Sequence, residues 1–435
     1  MSLFKNPHPM WQAGVLGVCL LAAAMFYTAV TQTRIDHPIR GDARDYFAYA
    51  YNLDTYGIYS RTWPEAGTKA PTPDAMRVPV YSAMVSLFLD KDDIDATLAR
   101  VLNFQALLGV LTVLVYLLLY RRIMPPLWAL GAGLLTAISP HLINASVYLL
   151  TETLFTFLLG LHLLTLEKAL RLRHARWALA AGILLALSFL TRPTTQYLIL
   201  AYLLALLVWA RSNWRVYAKC LLWLILPVAI AASAWTTRNL IETGRSSDPA
   251  LAASFLHHGM YINMMYEDHV ETYGYPYRYD PLTAEIGGNP SKVMHTIAQK
   301  FQQEPQRYLS WYLIGKPIHF FAWNLTESVG DAFVYAPLKT PYMDNAFFQG
   351  THLVAQLLHP FLILLSLIGA YLGLRQNNTA AALLSIVLLY FVAMHMIGAP
   401  FPRYSIPLRP INDGLALYAL YLAIEWIKTR LEKSR

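Results

Sequence analysis

The sequence predicts an all-α, polytopic transmembrane bundle of about ten to thirteen spans, and three observations predict it. Charged residues make up 14% of the 435-residue chain, against about 25% in a soluble domain. Apolar residues make up 56%, mean hydropathy is +0.37, and the apolar residues gather into long runs. The charges between those runs are biased to one side. Together these features exclude an ordinary cytosolic enzyme, a disordered chain and a disulfide scaffold. The whole chain, 1–435, reads as one membrane domain.

Crossing about 30 Å of hydrocarbon takes about 20 residues, fewer where helices are broken or buried. Ten candidate spans fall at 11–31, 101–120, 127–143, 146–166, 177–191, 196–210, 217–236, 353–374, 380–397 and 411–428. The run 11–31 is too long and too weakly cleavable for a signal peptide and is expected to be the first span. Two large segments fall outside the spans, at 34–100 and 237–350. In the first, Tyr46, Tyr49, Ala50 and Leu53 recur at helical spacing behind Asp42, a residue suited to a helix start. Pro64, Gly67, Pro71 and Pro73 mark a loop. A second short helix is expected over 79–89, opened by Pro79. Both helices suit the membrane interface. The second segment is rich in Tyr, His and Gly over 257–280, and its amphipathic stretch 308–323 is expected to lie on the membrane.

With a cytoplasmic N-terminus, the inner connections carry 15 cations against three acids, a net of +12, and the outer segments carry −4. Every short inner loop is basic, as the positive-inside rule expects. The +8 of the whole chain therefore reports topology and not nucleic-acid binding. Both termini are placed in the cytoplasm, and the polar chemistry faces outward. Cys19 and Cys220 sit in apolar runs and read as inert thiols.

Several residues are candidates for chemistry. Asp42 and Asp45 stand at the mouth of the bundle, where a carboxylate serves as a general base, a helix cap or a solvated charge. Glu152 and Arg192 lie near outer ends of apolar runs, where ionisable groups are functional or paired. Arg403 and Arg409 share a proline-rich outer loop and suit phosphate or lipid headgroups. His257, His258, His269 and His295 match no strong zinc spacing, and no metal or other cofactor is assigned. Sequons fall at Asn144, Asn324 and Asn377. Phosphate-binding glycine loops are absent, so no cytosolic nucleotide donor is expected.

These pieces resemble the polyprenyl-phosphate-dependent glycosyltransferases of the GT-C fold, in particular the lipid-A aminoarabinose transferases and the protein O-mannosyltransferases. The run from Asp42 to Tyr46, with Ala50 and then Leu53 to Gly57, is similar to the family's first outer-loop motif, which opens with the catalytic Asp. Relatives often carry Glu next, where this chain has Ala43. The run Arg77, Val78, Pro79, Val80, Tyr81 resembles the family's basic-Pro-Pro segment, with one proline kept. Thr151, Glu152 and Phe155 resemble its acid-bearing start of a span. Leu190 to Pro193 resembles its Leu-Thr-Arg-Pro turn. Arg403 and Tyr404 with Pro407 and Pro410 resemble its late loop.

The resemblance implies a glycosyltransferase of the cytoplasmic membrane working at its outer face. A polyprenyl-phosphate-linked monosaccharide would be the donor, and an envelope lipid, glycan or protein the acceptor. Asp42 would be the catalytic base. Arg77, Arg192 and Arg403 would hold the donor phosphate, supported by Asp45, Tyr46, Tyr81, Glu152 and Tyr404. A single displacement with inversion is expected. Membrane lipids are the other expected partner. The rival readings are a transporter or flippase and a non-catalytic membrane assembly factor.

Overall fold

The structure, a computed structural model, describes residues 9–63, 71–209, 214–326 and 330–434. Lys5, Pro64, Gly67, Arg211 and Arg435, and the side chain of Arg215, lie outside the described residues. The chain starts with helix α1 (Pro9–Gln32), then the short strand β1 (Arg34–Ile35) and helices α2 (Asp42–Tyr56) and α3 (Val80–Ser86). Next come α4 (Ile94–Ile123), α5 (Pro126–Ala137), α6 (Pro140–Ala145), α7 (Glu152–Leu172), α8 (Ala175–Phe189), α9 (Leu198–Trp209) and α10 (Trp214–Thr243). A polar-faced segment follows with α11 (Pro249–Met260), α12 (Thr283–Ile286), α13 (Pro290–Gln303), α14 (Pro305–Ser310), α15 (Lys316–Phe320), strand β2 (Pro337–Lys339) and α16 (Pro341–Asp344). Helices α17 (Ala346–Arg375), α18 (Thr379–Ile397) and α19 (Arg409–Lys433) complete the bundle. The two strands pair antiparallel, and the other regular elements among the described residues are helices joined by turns and loops.

Six helices among the described residues are long and apolar enough to cross a membrane: α1, α4, α7, the part of α10 from Tyr217, α17 and α18. Helices α5 and α8 are apolar but shorter. The expected span 127–143 is corrected. It breaks after Ala137, because Pro140 cannot continue a helix, and resumes as the short α6. The expected span 146–166 is also shifted: its helix starts at Glu152 and runs to Leu172, behind a buried turn. Gln105 of α4 holds that turn, donating from Nε2 to the carbonyls of Ser146 at 3.0 Å and Tyr148 at 2.8 Å. Pro79 caps α3 and does not occupy its first turn. Helix α10 continues to Thr243 and α17 begins at Ala346, so the segment between these two helices is 244–345.

Helices pack closely where small residues meet, because association in lipid depends on van der Waals contact. A Cβ on Gly369 of α17 would lie 2.0 Å from the Leu415 carbonyl of α19. Helices α4, α7 and α8 form consecutive neighbours, with α10 on the outside of α8 and α1 beside α4. The stretch 308–323 is not one helix. It runs as α14, a wider π turn at Trp311–Gly315 and α15. Lys316 then donates to the Met396 and Ile397 carbonyls at 3.0 and 3.2 Å, capping the end of α18.

This order gathers the short connections at two ends. At one end Asn378 donates to the Arg122 carbonyl at 3.1 Å, and Glu167 pairs with Arg171 at 2.7 Å. At the other end lie the starts of α2, α7 and α19 and the turn after α8.

Candidate active site

Helix α2 begins where Gly41 takes a φ of +54°, a conformation that suits glycine. A Cβ there would also lie 3.1 Å from the Tyr335 hydroxyl, which donates to the Arg40 carbonyl at 2.9 Å. The turn fixes Asp42 as the first helical residue. Its carboxylate caps nothing. Oδ1 accepts from Arg77 Nη2 at 2.7 Å, and Oδ2 accepts from Arg403 Nη1 at 2.9 Å. The capping role is thus replaced by two ion pairs to residues 35 and 361 positions away.

Those two arginines extend the network in both directions. Arg77 also donates from Nε and Nη2 to Asp45 Oδ2 at 3.1 and 3.0 Å. Asp42 and Asp45 sit one turn apart on α2 and grip the same guanidinium. Arg403 donates from Nε to Glu152 Oε1 at 2.5 Å, and Arg192 Nη1 donates to that same oxygen at 3.1 Å. The network therefore runs Asp45, Arg77, Asp42, Arg403, Glu152, Arg192. Three cations face three acids.

Aromatic rings support it. The Tyr46 ring lies 5.5 Å from the Arg77 guanidinium and packs edge-on to Tyr81 at 4.9 Å. The Tyr81 hydroxyl donates to Gln105 Oε1 at 2.8 Å. Tyr404 lies 5.1 Å from the Arg192 guanidinium. The backbone N–H of Val80 donates to the Leu190 carbonyl at 2.9 Å, tying the Arg77 segment to the Arg192 turn.

Exposure grades along the network. The side chain of Glu152 is 1% exposed, Arg403 8% and Asp42 33%. Glu152 is the buried anchor and Asp42, between the two arginines, the most accessible member. Burial pushes the Asp42 carboxyl up, but Arg77 and Arg403 outweigh it and hold the group well below the usual carboxylate range. Beside Asp45 opens a polar cleft of about 480 Å³, lined by Arg44, Arg61, Thr62, Thr72 and Asp74.

All nine residues singled out from the sequence for this site fall together: Asp42, Asp45, Tyr46, Arg77, Tyr81, Glu152, Arg192, Arg403 and Tyr404. Arg409, six residues from Arg403, does not join them. It turns away, and its Nη1 pairs with His359 Nδ1 at 2.7 Å. The candidate histidines are scattered. His257 bonds the Tyr261 hydroxyl at 2.7 Å, His258 stacks on Tyr277, His269 pairs with Glu271, and His295 is exposed. Asn144 is buried and donates to the Ala332 carbonyl. Sequence reasoning missed Gln105 and Tyr335. Gln105 had a signal, one of two amides, with Asn103, inside an apolar run. Tyr335 had none.

Comparison with known proteins places the fold. The family model for dolichyl-phosphate-mannose-protein mannosyltransferase matches residues 73–236, which include Arg77, Glu152 and Arg192. No curated protein sequence matches the chain. The archaeal oligosaccharyltransferase AglB from Archaeoglobus fulgidus, in complex with an inhibitory peptide and a dolichol-phosphate, superposes over 98% of this chain and 52% of its own, at 15% identity and a TM-score of 0.54. Its apo form covers 100% of this chain and 52% of that one, at 14% identity and the same TM-score of 0.54. ArnT from Cupriavidus metallidurans, bound to undecaprenyl phosphate, covers 95% of this chain and 60% of its own, at 14% identity and a TM-score of 0.51. The chain thus spans about half the length of the archaeal structures. At such identities the likeness carries the fold. The protein is an all-α membrane bundle with the GT-C glycosyltransferase fold, similar over residues 73–236 to the dolichyl-phosphate-mannose-protein mannosyltransferases.

Proposed function

We propose that this chain transfers a monosaccharide from a polyprenyl-phosphate donor to an envelope acceptor at the outer face of the cytoplasmic membrane, with inversion. The observation that carries the reading is the double grip of Arg77 and Arg403 on the accessible Asp42. A carboxylate between two arginines, beside an open polar cleft, supplies both a base and cations for a leaving phosphate.

The acceptor hydroxyl enters by the cleft next to Asp45. Asp42 accepts its proton as the oxygen attacks the anomeric carbon. The bond from that carbon to the phosphate oxygen breaks, and its electron pair leaves on polyprenyl phosphate. Arg77, Arg403 and Arg192 stabilise the growing charge, often the largest catalytic contribution. Planar guanidinium groups suit phosphate better than a point charge.

In the structure Arg77 and Arg403 hold carboxylates. Donor binding therefore has to redirect them. As they turn to the phosphate, Asp42 loses part of the pairing that depresses its proton affinity and becomes a better base. Glu152 stays buried and keeps Arg403 and Arg192 aimed.

Transfer is tested with the purified chain in proteoliposomes and a synthetic polyprenyl-phosphate sugar, using a mixed envelope extract as acceptor. Release of polyprenyl phosphate with sugar appearing on the acceptor is expected. Movement of the intact lipid across the bilayer without transfer points to a flippase and removes the enzymatic reading.

A further inference from the structure

A cavity of about 720 Å³ lies at the end of the bundle opposite Asp42. Its wall is apolar, built by Leu166 and Leu170 of α7, Leu221 and Leu224 of α10, and Leu383 and Ile386 of α18. Tyr202 of α9 closes its inner limit, with its hydroxyl bonded to His162 Nε2 at 2.9 Å. Its mouth is polar and lies where α17 turns into α18, at Arg375, Gln376, Asn377 and Asn378. An apolar shaft below a polar rim, set in a membrane bundle, has the shape of a lipid site.

Charge decides which lipid. The connections 121–126, 167–176, 214–219 and 375–379 contain many cations and one acid, Glu167. Glu167 is buried and already engaged, by Arg171 at 2.7 Å and Arg122 at 3.8 Å. Arg375 is exposed, leans 5.0 Å from the Tyr371 ring, and has no carboxylate within ion-pair reach among the described residues. The rim therefore favours a headgroup with net negative charge.

We propose that this cavity binds an anionic phospholipid of the leaflet opposite the catalytic mouth, its acyl chains between α7, α10 and α18 and its phosphate at Arg375. The site needs only the membrane placement of the bundle and is independent of the transfer reaction. The donor headgroup cannot occupy both places. Helix α7 has 21 residues between the two ends, about 31 Å at a helical rise of about 1.5 Å per residue.

The experiment uses the full chain in neutral detergent, titrated with phosphatidylglycerol, phosphatidylcholine or undecaprenyl phosphate, and reads bound lipid by native mass spectrometry with thermal shift in parallel. A ligand that binds only the folded state raises the melting temperature. Phosphatidylglycerol is expected to bind and stabilise, and phosphatidylcholine to do so much less. Arg375→Ala should weaken phosphatidylglycerol about tenfold, since it removes one charge-assisted contact, without altering the lipid-free melting temperature. Leu383→Trp, which fills the shaft, should abolish binding. Equal binding of the two phospholipids, or an unchanged affinity in Arg375→Ala, overturns the proposal. So does undecaprenyl phosphate displacing phosphatidylglycerol with the same dependence on Arg375, because the cavity then holds the polyprenyl lipid.

Discussion

The two ends of this bundle use arginine in opposite ways. At the Asp42 end, Arg77, Arg192 and Arg403 face Asp42, Asp45 and Glu152, and hydrogen bonds join groups up to 361 residues apart. At the other end, Arg121, Arg173, Arg176 and Arg375 have no acid within ion-pair reach among the described residues. A few rest on rings instead, as Lys168 does on Trp177 at 3.4 Å. Balanced charge, partly buried and knitted across the chain, is costly unless its geometry is held. Surplus exposed charge costs little and mainly sets orientation. On the proposed reading, the unpaired surplus cations mark the side facing the cytoplasm, and the paired network marks the site of the chemistry.

The strongest way to break that contrast is at Arg403, the residue joining Asp42 to Glu152. Arg403→Ala should lower transfer about 10²–10³-fold, the range for losing one preorganised stabilising group. Arg403→Lys should recover part of it, since charge returns without the fork. Steady-state transfer with a synthetic donor reads this. Near-normal turnover in the folded alanine variant would remove Arg403 from the site.

Glu152→Gln attacks the anchor. It leaves Arg403 and Arg192 without their buried anion, and breaking such a pair costs up to about 3–5 kcal/mol. A lower melting temperature is expected, together with a weaker KM for donor. If melting falls while donor KM holds, Glu152 supports the fold alone.

A subtler effect is expected in pH profiles. The free enzyme's Asp42 carboxyl is held below the usual range by Arg77 and Arg403. The base works when ionised, so activity is lost as pH falls through that depressed value. kcat/KM reports the free enzyme and kcat the loaded one. Once phosphate draws the arginines away, the acid limb of kcat should lie at higher pH than that of kcat/KM. Coincident limbs would show that donor does not loosen the Asp42 pairs.

The smallest effect belongs to the opposite end. Lys428→Gln removes one member of the exposed pair with Glu425 and should change stability by at most about 1 kcal/mol, the range for exposed pairs. Transfer should be unchanged. A large catalytic loss there would erase the distinction between the two ends.

Much of the site was legible because its residues sit in short motifs with unusual chemistry for their surroundings. Asp42 precedes a helical pattern, Glu152 opens an apolar run, and Arg192 precedes a proline. What could not be read is pairing. Arg403 and Arg409 share one loop and one residue type, yet the first meets Asp42 and Glu152 and the second meets His359. Six residues along the 402–409 segment, about two turns of a 3-10 helix, carry the two arginines to different neighbours, and no local signal in the sequence shows that. The fold was legible in its apolar runs, less so in its breaks. The stretch 127–166 read as two spans, whereas Pro140 and the Gln105-held turn divide it into α5, α6 and α7. Long-range tertiary contact, from a residue some 40 positions away, set that boundary.

The central claim is that Asp42 is a base and not a structural anion. Donor binding and sugar transfer measured together on Asp42→Asn test it most directly, with Asp45→Asn alongside. Asparagine keeps the size and one carbonyl oxygen for the arginines but cannot accept the acceptor's proton. Loss of a general base costs about 10²–10⁴-fold in rate. The account predicts that Asp42→Asn binds the polyprenyl-phosphate donor at near wild-type affinity while transfer falls by that factor, and that Asp45→Asn loses much less. Asp42→Asn turning over at near wild-type rate would contradict it.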